Sequence, residues 1–171
     1  MPRFVAFLRG VSPTNAKMPE LKRAFEAAGF TEVKTLLSSG NVVFNSRNAA
    51  LDVLARKAEK AMQSELGRSF GTTIRRTQFL QDLIASDPFA EFGLPEDAKP
   101  IITFMRRPGG VSGPMPIEQD GASILKVVGT EVLSAYVPHA DGPVFMRLLE
   151  RTFGTDITTR TLETVRKCSV A

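Results

Sequence analysis

The pattern of apolar and polar positions over residues 1–78 predicts alternating strands and helices. Residues 3–10 (RFVAFLRG) form a short apolar run typical of a strand, and residues 18–30 place apolar side chains at helical spacing. Residues 31–46 read as a hairpin, residues 48–67 as an amphipathic helix and residues 71–77 as a strand. The resulting order of strand, helix, strand, strand, helix, strand is that of a ferredoxin-like (βαββαβ) unit.

The second half of the chain repeats much of this order. Residues 78–92 predict a helix that breaks before Pro88, and a polar linker follows. The remaining predictions are a strand over 101–107, a loop rich in Gly and Pro over 108–121, a hairpin over 123–137, a helix over 143–154, a short strand over 155–160 and a terminal helix over 161–170. The loop stands where a ferredoxin-like unit would have its first crossover helix.

We therefore expect an α+β protein built from two ferredoxin-like halves, the second with its first crossover helix shortened or lost. The first half covers residues 1–78, a connecting helix and linker cover 79–99, and the second half with its C-terminal helix covers 100–171. The two halves are expected to pack as one compact unit.

The first strand is apolar on both faces of the expected sheet. Phe4, Ala6 and Leu8 alternate with Val5 and Phe7. A sheet that is apolar on both faces is normally covered on both, and the second half is the cover most readily available. Phe4 and Phe7 are therefore expected in the core and not on an open face that stacks on bases, so nucleic-acid binding is not favoured.

Composition and charge change this picture only slightly. Lys and Arg exceed Asp and Glu by 22 to 18, for a net charge of +4, and the basic residues are dispersed. This balance mildly favours anionic partners, and a solvated, slightly basic surface is favoured over nucleic-acid binding. The single cysteine, the short apolar stretch at the start and the absence of an apolar run of membrane-spanning length together predict a cytoplasmic protein without membrane association.

Few residues suggest chemistry. His139 is the only histidine, so no histidine-based metal site is expected, and its turn-like surroundings favour an exposed surface residue over a catalytic one. Cys168 lies on the expected terminal helix, where a buried thiol is favoured over a nucleophile. The glycines of residues 106–114 lack the lysine and the helix of a phosphate loop. The sequence assigns neither a reaction nor a cofactor.

Three stretches together resemble a known bacterial family. Residues 4–11 (FVAFLRGV), residues 18–44 and residues 156–167 (DITTRTLETVRK) are similar to the proteins catalogued as domain of unknown function 1697. The resemblance covers nearly the whole chain and implies a pair of ferredoxin-like halves, but no chemistry. The chain departs from the family pattern at residues 11–17, where members usually carry a longer, Gly-rich connection. It departs again at residues 139–145, where members often have Ser-Lys, and at Thr161 and Leu162, where members commonly have an aromatic residue after Thr-Thr-Arg-Asn.

An anion pocket is the candidate site with the clearest physical basis. If both helices of the first half begin at the same end of its sheet, Arg9 and Lys17 would meet Asn45 and Arg47 beside two helix N-termini. We add Arg160, the arginine of the Thr-Thr-Arg stretch, to this set of ligand-binding candidates. The expected ligand is small and carries a phosphate or carboxylate group.

Two alternatives to this pocket stay open at this point. Arg9 could instead pair with a carboxylate while the asparagines cap turns. The protein could also be a non-catalytic module that forms a homodimer or binds protein or nucleic acid through an edge strand or basic patch.

Residues 36–44 (LLSSGNVVF) pose a separate question. Ser38 and Ser39 could belong to a reactive loop, but they have no histidine nearby in the sequence to activate them. Gly40 and Asn41 between two apolar runs favour a two-residue hairpin turn that sets the register of the strands. With the third strand expected parallel to the first, this turn would lie a strand length, roughly 15 Å, from Arg9.

Overall fold

The computed structural model describes residues 1–107, 115–138 and 144–171, which fall into two α+β units. Unit 1 comprises Met1–Asp82 together with Arg166–Ala171, and unit 2 comprises Leu83–Val165. Each unit contains one antiparallel sheet, and the described residues form five α-helices. In the described ranges, none of these helices combines the length and the apolar character needed to span a bilayer.

Unit 1 carries a four-stranded sheet in the order β2-β3-β1-β4. Its elements are β1 (Arg3–Leu8), α1 (Met18–Ala27), β2 (Thr31–Leu36), β3 (Asn41–Asn45), α2 (Leu51–Leu66), β4 (Thr72–Arg76) and α3 (Thr77–Ala85), the last of which continues into unit 2. The helices and strands predicted over this part of the chain are therefore present, with ends shifted by a few residues.

Helices α1 and α2 cover one face of this sheet. Their periodic apolar residues meet alternate residues of β1 and β3, and the cluster is fully apolar. Its strand members include Phe4, Ala6, Leu8, Val42 and Phe44, and its helix members include Leu21, Ala24, Phe25, Leu54, Ala55, Ala58 and Met62. The spacing of three and four residues along each helix is what places these side chains on a single buried stripe.

The opposite face of the same sheet is buried as well. Val5, Phe7 and Val43 point away from α1 and α2 by the alternation of a strand, and each has no exposed surface. Phe4 and Phe7 are core residues, as predicted.

The predicted direction of the third strand was wrong. β3 pairs with β1 in antiparallel register, with Arg3 opposite Asn45 and Phe7 opposite Asn41. The physical reason is that the α1 crossover makes β2 run parallel to β1, and the hairpin between β2 and β3 then reverses the chain. The turn of that hairpin consequently lies beside the end of β1, where the Leu8 backbone N–H donates to the Gly40 carbonyl at 2.9 Å.

The turn itself is longer than predicted. Leu36 pairs with Asn41, so residues 37–40 form a four-residue turn, and Asn41 belongs to β3. Gly40 has the expected positive φ of 84°, but the second residue of the turn with positive φ is Leu37 at 58°, whose side chain is 48% exposed. Asn41 is buried and closes the turn from within, because its Nδ2 donates to the Leu36 carbonyl and to Ser39 Oγ, each at 3.0 Å.

Unit 2 carries a five-stranded sheet in the order β6-β7-β8-β5-β9. After a 3-10 turn at Ala90–Phe92, its elements are β5 (Lys99–Met105), β6 (Ile117–Gln119), β7 (Ala122–Val128), β8 (Glu131–Tyr136), α4 (Val144–Phe153), β9 (Ile157–Thr161) and α5 (Leu162–Ser169), which continues into unit 1. The core of the unit lies between α4 and the sheet.

The prediction of a continuous loop over residues 108–121 was wrong at its end. Ile117–Gln119 form β6, which pairs with β7 across a two-residue turn of Asp120 and Gly121. Both turn residues have positive φ, 48° and 85°, as a mirror-image hairpin turn requires, and Asp-Gly is a favoured sequence for it. Residues 108–114, the remainder of the predicted loop, lie outside the described residues.

Ser134 on β8 is a buried hydroxyl without a hydrogen-bond partner among the described residues, and its side chain is 0% exposed. We expect Ser134→Ala to leave the free energy of unfolding unchanged or to raise it by up to about 1 kcal/mol, because it removes an unsatisfied buried polar group. Ser169→Ala is the matched control. The Ser169 hydroxyl is also buried but donates to the Arg166 carbonyl at 2.7 Å, so its loss should cost about 1 kcal/mol in urea unfolding. A larger loss for Ser134→Ala than for Ser169→Ala would contradict this expectation.

Candidate functional site

The structure places Arg9 and Lys17 at one end of the unit 1 sheet. The Arg9 backbone N–H donates to the Gly71 carbonyl at 2.8 Å, just beyond the pairing of Leu8 with Thr72. Lys17 immediately precedes α1, where the Glu20 carboxylate accepts from its backbone N–H at 3.5 Å. This end also contains the turn of residues 37–40, contrary to the prediction that the turn and Arg9 lie apart.

Asn45 and Arg47 lie at the other end of that sheet. Asn45 is opposite Arg3, and Arg9 lies six positions further along β1 and its extension, which corresponds to roughly 20 Å. The two helices begin at opposite ends of the sheet because β1 and β3 are antiparallel. Arg9 and Lys17 therefore do not meet Asn45 and Arg47, and the predicted grouping of these residues was wrong.

Arg160, the fifth candidate, belongs to unit 2. It lies on β9 opposite Ile102, and its Nη1 donates to the Thr159 carbonyl at 2.8 Å. It does not line any of the three clefts of the described residues considered below.

A cleft of about 420 Å³ lies at the end of the sheet where β3 finishes, and we call it the β3-end cleft. Two of the predicted candidates, Asn45 and Arg47, line it. The complete lining within the described residues is Met1, Gly29, Thr31, Asn45, Ser46, Arg47 and Lys57. No aspartate or glutamate is among these lining residues, and two of them carry cationic side chains.

Lys57 reaches the β3-end cleft from the second turn of α2. Its Nζ lies 5.4 Å from the centroid of the Phe30 ring, a cation–π contact, and 3.7 Å from where a Cβ on Gly29 would lie. Phe30 is itself buried against Phe44, with ring centroids 4.2 Å apart. The core of unit 1 therefore provides a fixed surface on which the ammonium group rests.

Arg3 does not line this cleft itself but holds one of its lining residues, Asn45. Its Nη1 donates to Asn45 Oδ1 at 2.8 Å and to the Glu32 carbonyl at 3.1 Å, and its Nε donates to the Ala171 carbonyl at 2.8 Å. A guanidinium has no acceptor, so the Asn45 atom that faces it must be the oxygen. The orientation of the Asn45 amide is therefore determined by its partner.

Arg47 differs from these anchored groups. Its side chain is exposed, and no described carboxylate pairs with its guanidinium or with the Lys57 ammonium. The neighbouring Ser46 is buried, and its hydroxyl donates to the Arg47 carbonyl at 3.1 Å. The β3-end cleft thus presents two cations and an amide without a compensating negative side chain.

Two other clefts of the described residues have different chemistry. A cleft of about 480 Å³ in unit 2 is lined by Glu118 and Asp120 together with apolar residues, and by no described lysine or arginine. A cleft of about 300 Å³ in unit 1 is lined by Glu20, Arg23, Glu65 and Leu66, a mixed set of charges. Neither is as well suited to an anion as the β3-end cleft.

Sequence reasoning did not find Lys57 or Arg3. Lys57 is one of two lysines on an amphipathic helix, and Arg3 opens a strand. Arg3 meets Asn45, and Lys57 comes to line the same cleft as Asn45, only through the folding of the sheet and its helices, and no local motif marks either residue. The Asn-Ser-Arg stretch at the end of β3 was the one signal available from sequence.

Cys168 and His139 were also considered for nucleophilic or acid–base chemistry. Cys168 is buried, as predicted. His139 lies outside the described residues. Among the residues that are described, no group of three or more His, Cys, Asp or Glu side chains could hold a metal ion.

Comparison with known proteins identifies the family. The chain belongs to the proteins of unknown function of family DUF1697, whose pattern matches residues 1–127. It is also similar to a solved structure, the conserved bacterial protein SP0830 from Streptococcus pneumoniae, with a TM-score of 0.69, 16% sequence identity and coverage of 99% of this chain and 97% of that one. At this identity the likeness concerns the fold alone. A search of curated proteins finds no match to this chain.

Proposed function

We propose that this protein binds a small ligand bearing a phosphate or carboxylate group in the β3-end cleft. The observation that carries the proposal is that Arg47 and Lys57 line one cleft with Asn45, without an acidic side chain among the described lining residues. Unit charges about 4 Å apart attract by about 4 kcal/mol at the intermediate dielectric of a protein surface, so two uncompensated cations favour an anion. The volume of about 420 Å³ is in the range that small-molecule sites occupy.

A thermal-shift titration with inorganic phosphate, sulfate and citrate at low ionic strength tests this function. We expect at least one of these anions to raise the Tm, and Arg47→Ala to weaken its binding by about tenfold or more, the value of one charge-assisted hydrogen bond. Arg56→Ala is the matched control, because Arg56 lies on α2 in an ion pair with Asp52 at 3.4 Å and does not line the cleft. No shift with any anion, or equal losses in the two variants, would contradict the proposal.

The same titration distinguishes the two ends of the sheet. Arg9→Ala should leave anion binding unchanged if the β3-end cleft is the site, because Arg9 is roughly 20 Å from Asn45 along β1. If only Arg9→Ala loses anion binding, the site lies instead at the end of the sheet that contains Arg9 and Lys17.

Three further parts of the interpretation belong to this proposal. We regard each unit as a ferredoxin-like half, which the strand order β2-β3-β1-β4 in unit 1 supports. The domain boundaries that we propose are those predicted from the sequence, with a first half over residues 1–78, a connection over 79–99 and a second half over 100–171. We place the protein in the cytoplasm on the basis of its single cysteine. The alternative function, a non-catalytic interaction module, gains if no anion binds and the protein elutes as a stable oligomer.

A further inference from the structure

The geometry points to a more specific ligand class for the β3-end cleft, namely a phosphate monoester in its dianionic form. This inference rests on the proposed function and deepens it. It depends on which protein groups remain available to a ligand once the contacts within the protein are assigned.

The groups available at the cleft are hydrogen-bond donors. Asn45 Oδ1 already accepts a hydrogen bond from Arg3, and no described residue accepts a hydrogen bond from the Asn45 amide nitrogen. The Arg47 guanidinium and the Lys57 ammonium have no acceptor function at all. These three side chains therefore match a ligand whose oxygens only accept.

The charges at the cleft indicate a dianion. Arg47 and Lys57 contribute two positive charges, and no described carboxylate is paired with either. A phosphate monoester carries nearly two negative charges above its second pKa of about 6, spread over three acceptor oxygens. Three donor side chains with two charges thus correspond to three acceptor oxygens with two charges.

Arg3 acts in this arrangement as a positioning residue. It holds Asn45 as a donor through the contact of 2.8 Å, and it is itself held by the carbonyls of Glu32 and Ala171. An amide that could rotate would be able to present its oxygen to the cleft, where it would repel an anion. The contact with Arg3 prevents that rotation.

Methyl phosphate and methyl sulfate form a matched pair of probes, because both have three terminal oxygens on a tetrahedral centre but only the phosphate is a dianion at pH 8. By isothermal titration calorimetry at pH 8, we expect methyl phosphate to bind the full chain with a Kd at least about tenfold lower than that of methyl sulfate. Lys57→Gln should raise the Kd of methyl phosphate by about tenfold and bring the two probes close together. Lys60→Gln, a lysine of α2 that does not line the cleft, should leave the ratio unchanged.

Asn45→Asp tests the donor assignment with little change in shape. The new carboxylate can pair with Arg3, so stability to urea should be retained or raised, while a negative charge enters the cleft. We expect the Kd of methyl phosphate to rise by at least about tenfold. Retained binding in Asn45→Asp would overturn the assignment of Asn45 as a donor.

The outcomes separate this inference from the proposed function. Equal affinities of methyl phosphate and methyl sulfate in the unaltered protein would overturn the inference that the ligand is a dianion. The same holds if the ratio of their Kd values is unchanged in Lys57→Gln. If citrate binds, its binding is lost in Arg47→Ala and methyl phosphate does not bind, the inference of a dianionic ligand fails and the proposed function stands. If none of these anions binds, both fail.

Discussion

Replacement of Phe44 by alanine should lower the free energy of unfolding by about 3–5 kcal/mol, the usual cost of deleting a buried aromatic ring. Phe44 lies on β3 with no exposed surface. Its ring centroid is 5.7 Å from that of Phe4, 5.6 Å from that of Phe25 and 4.2 Å from that of Phe30. The deletion therefore removes three ring contacts and leaves a cavity between the sheet and α1.

Urea unfolding monitored by circular dichroism measures this loss, and Phe79→Ala is the matched control. Phe79 lies on α3 with 40% of its surface exposed, so the same deletion there should cost about 1 kcal/mol or less. Comparable losses at the two positions would show that the cluster around Phe44 does not dominate the core of unit 1.

A consequence for the β3-end cleft follows from the position of Phe44. Its closest ring partner, Phe30, is the surface on which the Lys57 ammonium rests. The core that stabilises unit 1 and the cation that would bind a ligand are thus in contact through one side chain.

The core and the elements of unit 1 could be predicted because they depend on short-range periodicity. The three- and four-residue spacing of Leu21, Ala24 and Phe25 indicates a buried helix stripe, and the structure buries all three. The alternation along β1 likewise indicates its two buried faces. These signals are local, and tertiary packing reinforces them.

Strand direction also follows from the order of the elements in the sequence, and the prediction that β3 runs parallel to β1 was wrong. A crossover followed by a hairpin makes β3 antiparallel to β1, and that single step decides which end of the sheet each loop occupies. The wrong strand direction led to the prediction that Arg9 lies far from the turn of residues 37–40 and close to Asn45. The prediction of a loop over residues 108–121 was wrong at β6 for a different reason, because Asp120-Gly121 is the turn of a hairpin between β6 and β7.

The composition of the β3-end cleft could not be predicted in this way. Arg3, Asn45 and Lys57 come from two strands and a helix, and each is separated from the others by several turns or strand residues. Their contacts depend on the register of Arg3 with Asn45 and on the rotation of α2 over Phe30. Neither quantity leaves a pattern in the sequence.

The structure adds a packing contact to the role that the sequence indicated for the turn of residues 37–40. Gly40 remains the residue that sets the turn, but the turn now packs against the end of β1 and the loop that follows it. A Cβ added to Gly40 would lie 2.9 Å from Val11 Cβ and Cγ2 and 3.0 Å from Leu8 Cβ, closer than carbon atoms approach one another. These contacts are with atoms near the backbone, which cannot move away as the end of a flexible side chain can.

Gly40→Ala should therefore lower the free energy of unfolding by about 2–4 kcal/mol, of which about 1–2 kcal/mol arises from the left-handed backbone and the rest from overpacking. Gly10→Ala separates the two contributions, because Gly10 has the same φ of 84° and no atom within 4 Å of an added Cβ. It should lose only the backbone contribution, measured by urea unfolding alongside Gly40→Ala. If the two variants lose equal stability, the close approach of Gly40 to Val11 and Leu8 contributes nothing, and the turn is held by its backbone conformation alone.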